Sequence, residues 1–358
     1  MNTKAHFVDR FLGDSKREGT WSQVWQRLNR ARSRWFLTGW RGLSVAGLLP
    51  IVAGLLYQAA ATANEIRNFP APGRLVDIGG RRLHSYPLGE GGPTVVLEAA
   101  GLGCALDYEV IQQALAKETR VCAYDRAGMG WSDPYAGRLS VEALMEDLRA
   151  LLHQERIGPP YILVGGSAGG LIIELFARRH PDEVAGLVMI DALDEAVLDR
   201  LPHAGAYLMR RISIAGIGAR LGLLRYLDPF GLRKFPGIAG NIRSALTYRP
   251  APWAAARSFL QSLKTSAAQL HAAPPLREDL PLIVLTHGVV GDLLGPHADP
   301  KLLRVIETIW QEQQAALARR TSRGRQIFAE KSGHRIIAQQ PELVIEAVRE
   351  VLSMARGK

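Results

Sequence analysis

The amino-acid sequence predicts an α/β fold, in which helices cover both faces of a mostly parallel, doubly wound sheet. Short apolar runs rich in β-branched residues recur along the chain, and segments with helical periodicity separate them. The runs are apolar on both faces, as is typical of strands in a buried parallel sheet. Strands are predicted at 94–99, 120–124, 161–164, 185–190 and 281–286, with a weaker one at 326–329. Helices are predicted at 107–117, 140–155, 170–180, 300–320 and 341–355.

The N-terminal region differs from the rest of the chain in charge and hydropathy. The 358 residues carry a net charge of +10, of which residues 1–41 contribute +6. This concentration argues against a nucleic-acid-binding surface on the folded body. Residues 42–63 contain no charged side chain and have the length of a helix that crosses a bilayer. We expect 1–41 to be a basic arm beside the membrane and 42–63 to be a transmembrane anchor that contacts membrane lipid.

The charge distribution also predicts the orientation of this anchor. Because the positive charge precedes the apolar segment, the N-terminus is expected to stay in the cytoplasm. The remainder is expected to lie outside, in the periplasm if the protein is bacterial. Two alternatives remain for the segment. Ala61-Thr62-Ala63 fits a signal-peptidase site, which would make it a cleaved signal, and its moderate hydropathy also suits a buried helix of a soluble fold.

Composition and turn signals predict the organisation of the remaining chain. Residues 64–73 contain the proline-rich sequence FPAPG and are predicted to be a linker. The α/β core is predicted at 74–194 and 276–358, and it begins with an antiparallel strand pair around Gly79-Gly80. Residues 195–275 contain helix-like stretches and no convincing strand, which predicts an inserted helical cap that is apolar and basic. Two cysteines exclude a disulfide framework and a four-cysteine zinc site.

A serine lies at a predicted strand-to-helix junction. Ser167 stands within the sequence GGSAGG, with glycines two positions before it and two positions after it. A sharp turn at this point leaves no room for neighbouring Cβ atoms and strains the serine backbone. The turn raises the hydroxyl above the sheet, where the N-terminus of the following helix favours negative charge. The pattern therefore predicts a nucleophile.

A histidine near the C-terminus is predicted to be the base. A serine hydroxyl is a weak nucleophile and needs an adjacent group to take its proton. His334 lies in a Ser-Gly loop after the last predicted strand and before the last predicted helix. The other histidines considered have placements that favour structural roles, since His84 falls in the strand pair, His180 near a helix end and His271 in the cap. His334 is therefore the predicted partner of the serine.

A glycine turn after the strand at 94–99 is predicted to bind an oxyanion. The turn reads Ala99-Ala100-Gly101-Leu102-Gly103. We expect the backbone N–H groups of Leu102 and Ala168 to stabilise the negative oxygen of a tetrahedral intermediate. A dinucleotide-binding fingerprint is discounted, because GLGCAL lacks the third glycine and no acidic residue ends the next strand in the required place.

Residues 70–355 resemble the α/β-hydrolase superfamily nearly end to end. The stretches that carry the resemblance are PAPGRLVDIGGRRLH, LEAAGLG, YDRAGMGWSD, GGSAGGL and KSGHRIIAQQPELVIEAVREV. The chain is particularly similar to bacterial membrane-anchored serine hydrolases, which begin with a basic arm and one apolar helix. It departs from the family where His-Gly is often found at the oxyanion turn and Gly-His-Ser at the elbow. Here Ala100-Gly101 and Gly165-Gly166-Ser167 stand in those places.

The resemblance leaves two main alternatives for the acid of a catalytic triad. The family order is serine, acid, histidine. The acid lies either after the strand that follows the elbow or after the penultimate strand. Asp191 fits the first place and is favoured, whereas Asp292 in THGVVGD fits the second, with Asp194 and Asp299 as lesser alternatives. Asp125 and Arg126 are expected to brace the sheet.

Together these residues predict a serine hydrolase that needs neither a metal nor an organic cofactor. The apolar cap favours a small, hydrophobic carboxylic ester as substrate, cleaved through an acyl-enzyme. Alternatives of the same fold are hydrolases of amides, lactones, peptides or carbon–carbon bonds, since the fold does not decide which bond is cleaved. An alternative of another class is a non-catalytic ligand-binding or signalling protein that keeps the pocket.

Overall fold

The computed structural model describes residues 48–200, 202–234, 238–290 and 300–357. The strands are β1 (Arg74–Asp77), β2 (Arg82–Leu88), β3 (Thr94–Glu98), β4 (Val121–Tyr124), β5 (Tyr161–Gly166), β6 (Val184–Ile190), β7 (Leu282–His287) and β8 (Gly324–Ala329). In the described residues they form one sheet in the order β1-β2-β4-β3-β5-β6-β7-β8. The pairs β1–β2 and β2–β4 are antiparallel and all other neighbours are parallel. The predicted strand pair and mostly parallel sheet are therefore confirmed.

Helices fill the connections between the strands. Residues 48–68 form α1. The others are α2 (Glu109–Leu115), α3 (Val141–Gln154), α4 (Ala168–Arg179), α5 (Glu195–Arg200), α6 (Pro202–Arg220), α7 (Leu223–Leu227), α8 (Ile238–Thr247), α9 (Pro250–Gln261), α10 (Leu263–His271), α11 (Pro300–Ala318), α12 (Ile336–Gln339) and α13 (Pro341–Ala355). The five predicted helices correspond to α2, α3, α4, α11 and α13. Between β6 and β7 the described chain contains helices and no strand, as expected for 195–275.

The sheet separates two hydrophobic cores. Side chains alternate between its faces along each strand, so that Val96 and Val95 belong to different cores. One core contains buried residues of α3 and α4, and the other contains buried residues of α2 and α13. Burial on both faces explains why the parallel strands read as continuous apolar runs in the sequence.

The strand that leads to Ser167 is longer than predicted. The prediction from the sequence is 161–164, and glycine has a low preference for strands. In the structure β5 continues through Gly165 and Gly166, which pair with Met189 and Ile190 of β6. Backbone pairing in the centre of a sheet therefore outweighs local propensity, and it carries the serine to the carboxyl edge of the sheet.

The N-terminal predictions are only partly covered by the described residues. The arm at 1–41 and residues 42–47 of the predicted anchor lie outside them, whereas 48–63 belong to α1. None of the helices in the described ranges is long and apolar enough to cross a membrane. The predicted span is therefore not supported there, because α1 contains Gln58 and continues into Asn64 and Glu65, which lower its mean hydropathy. The predicted linker at 64–73 is also shorter, since residues through 68 are helical.

The described residues divide into two units between Tyr57 and Gln58. In the first unit, residues 48–57 of α1 expose large apolar side chains, among them Leu49 and Leu56. In the second unit, the remainder of α1 is held by Arg225 of α7. The Arg225 Nε donates to Gln58 Oε1 at 3.0 Å, and its guanidinium forms an ion pair with Glu65. The end of α1 is thus attached to the helices between β6 and β7.

Candidate active site

Ser167 occupies a strained turn between β5 and α4. Its backbone has φ 49° and ψ −119°, in a region that residues with a side chain rarely adopt. The flanking glycines are required by packing. A Cβ at Gly165 would lie 2.8 Å from Ile173 Cδ1, and one at Gly169 would lie 2.7 Å from the carbonyl oxygen of Ala99. The glycine spacing in the sequence therefore reports a close approach of the strand, the turn and the helix.

Backbone hydrogen bonds maintain this strained conformation. The N–H of Ser167 donates to the carbonyl of Ile190 at 3.0 Å. The carbonyl of Ser167 accepts from the N–H of Leu193 at 2.9 Å and from that of Gly170 at 3.0 Å. The serine is therefore fixed to the end of β6, which is the strand that carries the favoured acid.

His334 lies between Ser167 and Asp191. Its Nε2 is 3.0 Å from Ser167 Oγ, and its Nδ1 is 2.6 Å from Asp191 Oδ2. Because a carboxylate only accepts, Nδ1 carries the proton of the neutral ring and Nε2 is left to accept from the serine hydroxyl. The structure thus brings together the predicted nucleophile, base and acid in one hydrogen-bonded chain.

Side chains of α12 and the residue after it hold the loop that carries His334. The Gly333 N–H donates to Gln339 Oε1 at 2.9 Å, and the Ser332 hydroxyl donates to Gln340 Oε1 at 2.9 Å. The ring of Trp310 meets the imidazole of His334 edge-on, with centroids 5.5 Å apart. Hydrogen bonds to the loop and packing on the ring therefore fix the orientation of the imidazole.

Asp191 directly follows β6 and is completely buried. Its carboxylate accepts from His334, from Nδ1 of His287 at 2.8 Å and from Nε1 of Trp310 at 3.0 Å. Burial by itself raises the pKa of this carboxyl, but the hydrogen bonds from His287 and His334 outweigh burial and bring the pKa to about 2. Asp191 is therefore ionised throughout the physiological range.

Asp194, the one other candidate acid among the described residues, does not reach His334. Asp194 is buried, accepts from Arg320 at 2.6 Å and from the Ala196 N–H at 2.7 Å, and lies in a separate cluster. Burial raises the pKa of its carboxyl to about 6. Asp292 and Asp299 lie outside the described residues. The geometry therefore favours Asp191.

The predicted oxyanion turn lies beside the elbow. The Ala100 Cβ is 3.7 Å from the position of a Cβ on Gly166, so the turn and the strand end are in contact. Arg126 holds the turn, because its Nη2 donates to the carbonyls of Ala100 at 2.6 Å and Gly101 at 2.7 Å. These bonds direct two carbonyls of the turn towards Arg126. Leu102, in the same turn, and Ala168, which begins α4, remain the predicted oxyanion donors.

Three residues at the site were missed by the sequence analysis. His287 and Trp310 both contact Asp191, and Glu307 contacts His287. His287 lies in the segment THGVVGD, where only Asp292 was considered. A signal was present, since a histidine that ends the strand next to β6 lies at the same edge of the sheet as Asp191. Glu307 and Trp310 lie within a helix and carry no comparable signal.

One cluster of carboxylates in the described residues has the geometry of a metal site. It consists of Glu174, Asp194 and Glu195. Arg178 and Arg320 form ion pairs with these carboxylates, so the negative charge is compensated by the protein itself. The cluster is not connected to Ser167 or His334 and has no part in the site described above.

Comparison with known proteins agrees with this architecture. Residues 93–212 match the family described as alpha/beta hydrolase fold. An AB hydrolase superfamily protein of Gibberella zeae is 23% identical over 284 residues, covering 74% of this chain and 87% of its own length. An uncharacterised protein of Schizosaccharomyces pombe is 31% identical over 188 residues, covering 50% of this chain and 33% of its own length. The chain also spans less than half the length of two further relatives.

A solved structure extends the agreement to the fold. The esterase of Thermogutta terrifontis superposes with a TM-score of 0.55 at 22% sequence identity, over 78% of this chain and 97% of the esterase. Identity at this level concerns the fold, whereas activity depends on the site. The family match over residues 93–212, the strand order and the serine elbow agree with one another, and the chain has the α/β-hydrolase fold.

Proposed function

We propose that the protein is a serine hydrolase that cleaves carboxylic esters through an acyl-enzyme. The observation that carries this proposal is the chain of hydrogen bonds from Ser167 Oγ through His334 to Asp191. A serine and a histidine at 3.0 Å, with an ionised carboxylate behind the histidine, form the arrangement that activates a hydroxyl for attack on a carbonyl.

The proposed mechanism has two halves. Ser167 Oγ attacks the ester carbonyl while His334 Nε2 takes its proton, and Asp191 stabilises the imidazolium that forms. The N–H groups of Leu102 and Ala168 bind the oxyanion. The imidazolium then gives its proton to the leaving alcohol, which leaves an acyl group on Ser167. Water then attacks the acyl group while His334 takes its proton, and a second tetrahedral intermediate forms. This intermediate collapses, releases the acid and restores Ser167 as His334 returns the proton to Oγ.

Exposed apolar residues support a hydrophobic substrate. Leu102, in the turn after β3, is 37% exposed, and Val289 and Val290, which follow β7, are 47% and 61% exposed. The carboxyl ends of these parallel strands lie at the same edge of the sheet as Ser167. Apolar surface beside the nucleophile favours an acyl or alcohol group that leaves water on binding.

Turnover of p-nitrophenyl esters with acyl chains from C2 to C12 tests the proposal. The full-length protein is compared with Ser167→Ala and His334→Ala, and each is also treated with a fluorophosphonate probe. We expect turnover and labelling in the wild type and loss of turnover in both variants. An optimum at the longer chains would support the apolar substrate. Activity that survives Ser167→Ala would overturn the assignment, and neither turnover nor labelling of the wild type would favour a non-catalytic binding protein.

A paired substrate series separates the bond types. Amides, lactones, peptides and vinylogous ketones with the preferred acyl group are compared with the ester, each at the same concentration. The proposal expects the ester to have the highest kcat/KM. A higher kcat/KM for another bond type would keep Ser167 and His334 in their roles but replace the ester as the substrate.

We also propose that the N-terminal segment attaches the protein to a membrane, with its N-terminus in the cytoplasm and the hydrolase outside. The uncharged stretch 42–63 and the basic arm before it support this. Exposed Leu49 and Leu56 in the described part of the stretch also support it. The full-length protein is expected to stay with membranes through alkaline carbonate washing and to be digested by protease added from outside. Release by carbonate would overturn the attachment, and protection from protease would overturn the orientation.

A further inference from the structure

The carboxylate of Asp191 contacts a second histidine in addition to His334. His287 ends β7 and is only 1% exposed. Its Nδ1 lies 2.8 Å from each carboxylate oxygen of Asp191, and its Nε2 lies 2.8 Å from Oε1 of Glu307. The hydrogen-bonded chain that begins at Ser167 therefore continues past the acid to a second histidine and a second carboxylate.

Helix α11 fixes this extension. Glu307, Trp310 and Gln311 lie three and four positions apart and therefore on one face of the helix. The Gln311 Nε2 donates to Glu307 Oε1 at 2.9 Å and to the His287 carbonyl at 3.2 Å. Trp310 Nε1 donates to Asp191 Oδ1 at 3.0 Å. One helical turn thus positions the second carboxylate and supplies a further donor to the catalytic acid.

The surroundings of His287 favour its charged form. A neutral imidazole has one N–H, whereas an imidazolium donates from both nitrogens, and both nitrogens of His287 face carboxylate oxygens. Among the described residues, the titratable groups that face it are Asp191 from β6, Glu307 from α11 and, across Asp191, His334. Burial lowers the pKa of His287, but the hydrogen bonds and charges of Asp191 and Glu307 outweigh burial and raise it above its ordinary value.

We propose that His287 is a positioning residue, an imidazolium held between Asp191 and Glu307 that orients the catalytic carboxylate and offsets part of its charge. The proposal rests on the proposed function of the Ser167 site. Its consequence is electrostatic. A positive charge behind Asp191 reduces the stabilisation that this carboxylate gives to protonated His334. We therefore expect the charge on His287 to shift the acid limb of the kcat/KM profile to lower pH.

Two variants of His287 separate the hydrogen bond from the charge. His287→Asn keeps an amide N–H near the position of Nδ1 but removes the charge, whereas His287→Ala removes both. We expect the acid limb of the kcat/KM profile to move to higher pH in both variants, by about 0.5 to 1 pH unit. At pH values above that limb, His287→Asn is expected to retain most of the wild-type rate and His287→Ala is not.

His84→Asn is the matched control. His84 is also buried in the sheet and also pairs with an aspartate, with Nδ1 2.7 Å from Asp125 Oδ2, but Asp125 is not bonded to His334. Loss of this imidazole therefore removes a similar buried pair without changing the charge beside Asp191. The acid limb of His84→Asn is expected to coincide with that of the wild type, whatever the change in stability.

A direct measurement of the charge covers the case in which the His287 variants do not fold. Nitrogen-15 NMR of the imidazoles in the full-length protein reports whether each ring is protonated. We expect one buried histidine, assigned to His287 by its loss in His287→Asn or by its change in Glu307→Gln, to be an imidazolium at pH 6. In Glu307→Gln its deprotonation is expected at lower pH, because one of the two carboxylates is lost.

The outcomes distinguish this inference from the proposed function. If turnover requires Ser167 but the acid limb of His287→Asn coincides with that of the wild type, the positioning role is wrong and the serine mechanism stands. A neutral His287 at pH 6 in the wild type also overturns it. Turnover that survives Ser167→Ala overturns the proposed function itself, before the His287 variants are compared.

Discussion

Two buried carboxylates at the carboxyl edge of the sheet differ in how they are solvated by the protein. Asp191 directly follows β6 and Glu98 ends β3, and both are completely buried. Burial raises the pKa of Asp191, but hydrogen bonds from His287 and His334 outweigh burial and bring the pKa to about 2. Trp310 Nε1 donates a further hydrogen bond to the carboxylate. Burial raises the pKa of Glu98 to about 7, against the opposing charge of Arg126 and a hydrogen bond from Tyr124.

Because both carboxylates are completely buried, the difference between their pKa values comes from the hydrogen-bond donors around them and not from the depth of burial. Arg126 Nε lies 3.4 Å from Glu98 Oε1, but this carboxylate oxygen accepts no hydrogen bond. The Nη2 of Arg126 donates instead to the two carbonyls of the oxyanion turn. A further donor has little space here, since a Cβ on Gly169 would lie 2.8 Å from Glu98 Cγ. Close packing at the elbow thus prevents the solvation that Asp191 receives from two histidines.

The largest expected effect comes from neutralising the better solvated carboxylate. Asp191→Asn keeps the shape but removes the charge that orients and stabilises the His334 imidazolium. We expect kcat/KM for a p-nitrophenyl ester to fall by about 10³- to 10⁴-fold, the size of effect seen for the acid of a serine–histidine–acid triad. Asp194→Asn, three residues further along and not bonded to His334, is the control and is expected to retain kcat within a few-fold. A loss of similar size in both variants would contradict the comparison.

The pH dependence of stability is expected to have opposite signs for the two carboxylates. The pKa of Asp191 is lowered from 3.8 to about 2. The contribution of its carboxylate to the free energy of unfolding is therefore fully present above pH 3.8 and is lost as pH falls through about 2. The pKa of Glu98 is raised from 4.5 to about 7, so the free energy of unfolding decreases as pH rises from 4.5 through 7.

Glu98→Gln tests the second of these slopes. The difference in the free energy of unfolding between the variant and the wild type is expected to change by up to about 3 kcal/mol between pH 4.5 and pH 8, in favour of the variant at high pH. Urea unfolding at a series of pH values measures it. A difference that stays constant over this range would show that Glu98 is ionised in the folded protein throughout.

Arg126 connects the less solvated carboxylate to the oxyanion turn. Arg126→Lys keeps the positive charge, but an ammonium cannot reproduce the planar guanidinium that bonds two carbonyls and faces Glu98. We expect kcat to fall by about tenfold with a smaller change in KM, because the turn acts on the transition state. Steady-state kinetics with the preferred ester measures both constants. An increase in KM alone would indicate that the turn binds the substrate and not the oxyanion.

The smallest effect is expected from a carboxylate that is partly exposed to solvent. Asp133 accepts from Nε of Arg82 at 3.0 Å and from its Nη2 at 3.1 Å, on the protein surface. Asp133→Asn is expected to lower the free energy of unfolding by less than about 1 kcal/mol, since exposed ion pairs contribute little. Thermal unfolding at low and high salt measures this change. A loss of unfolding free energy as large as that expected at a buried carboxylate would contradict the distinction between buried and exposed sites.

Local patterns in the sequence predicted the fold, and they pointed to the serine and the histidine that the structure brings within hydrogen-bond distance. Apolar runs placed the strands because a parallel sheet buries both of its faces, as the two cores on either side of Val95 and Val96 show. The glycines around Ser167 mark, within five residues of sequence, a turn that packs closely against Ile173 and the carbonyl of Ala99. His334 was found because its loop follows the last strand and precedes the last helix. Each of these signals is contained in a short segment.

The identity of the acid and its second histidine depended on the tertiary structure. Asp191 follows β6, His287 ends β7 and Glu307 lies on α11. The first two meet because parallel strands end at one edge of the sheet. No local pattern states which carboxylate turns towards His334, or that one helical turn of α11 delivers a glutamate and a tryptophan. Whether a buried carboxylate is charged depends in the same way on donors brought from distant segments, which explains why Asp191 and Glu98 look alike in the sequence and differ in the fold.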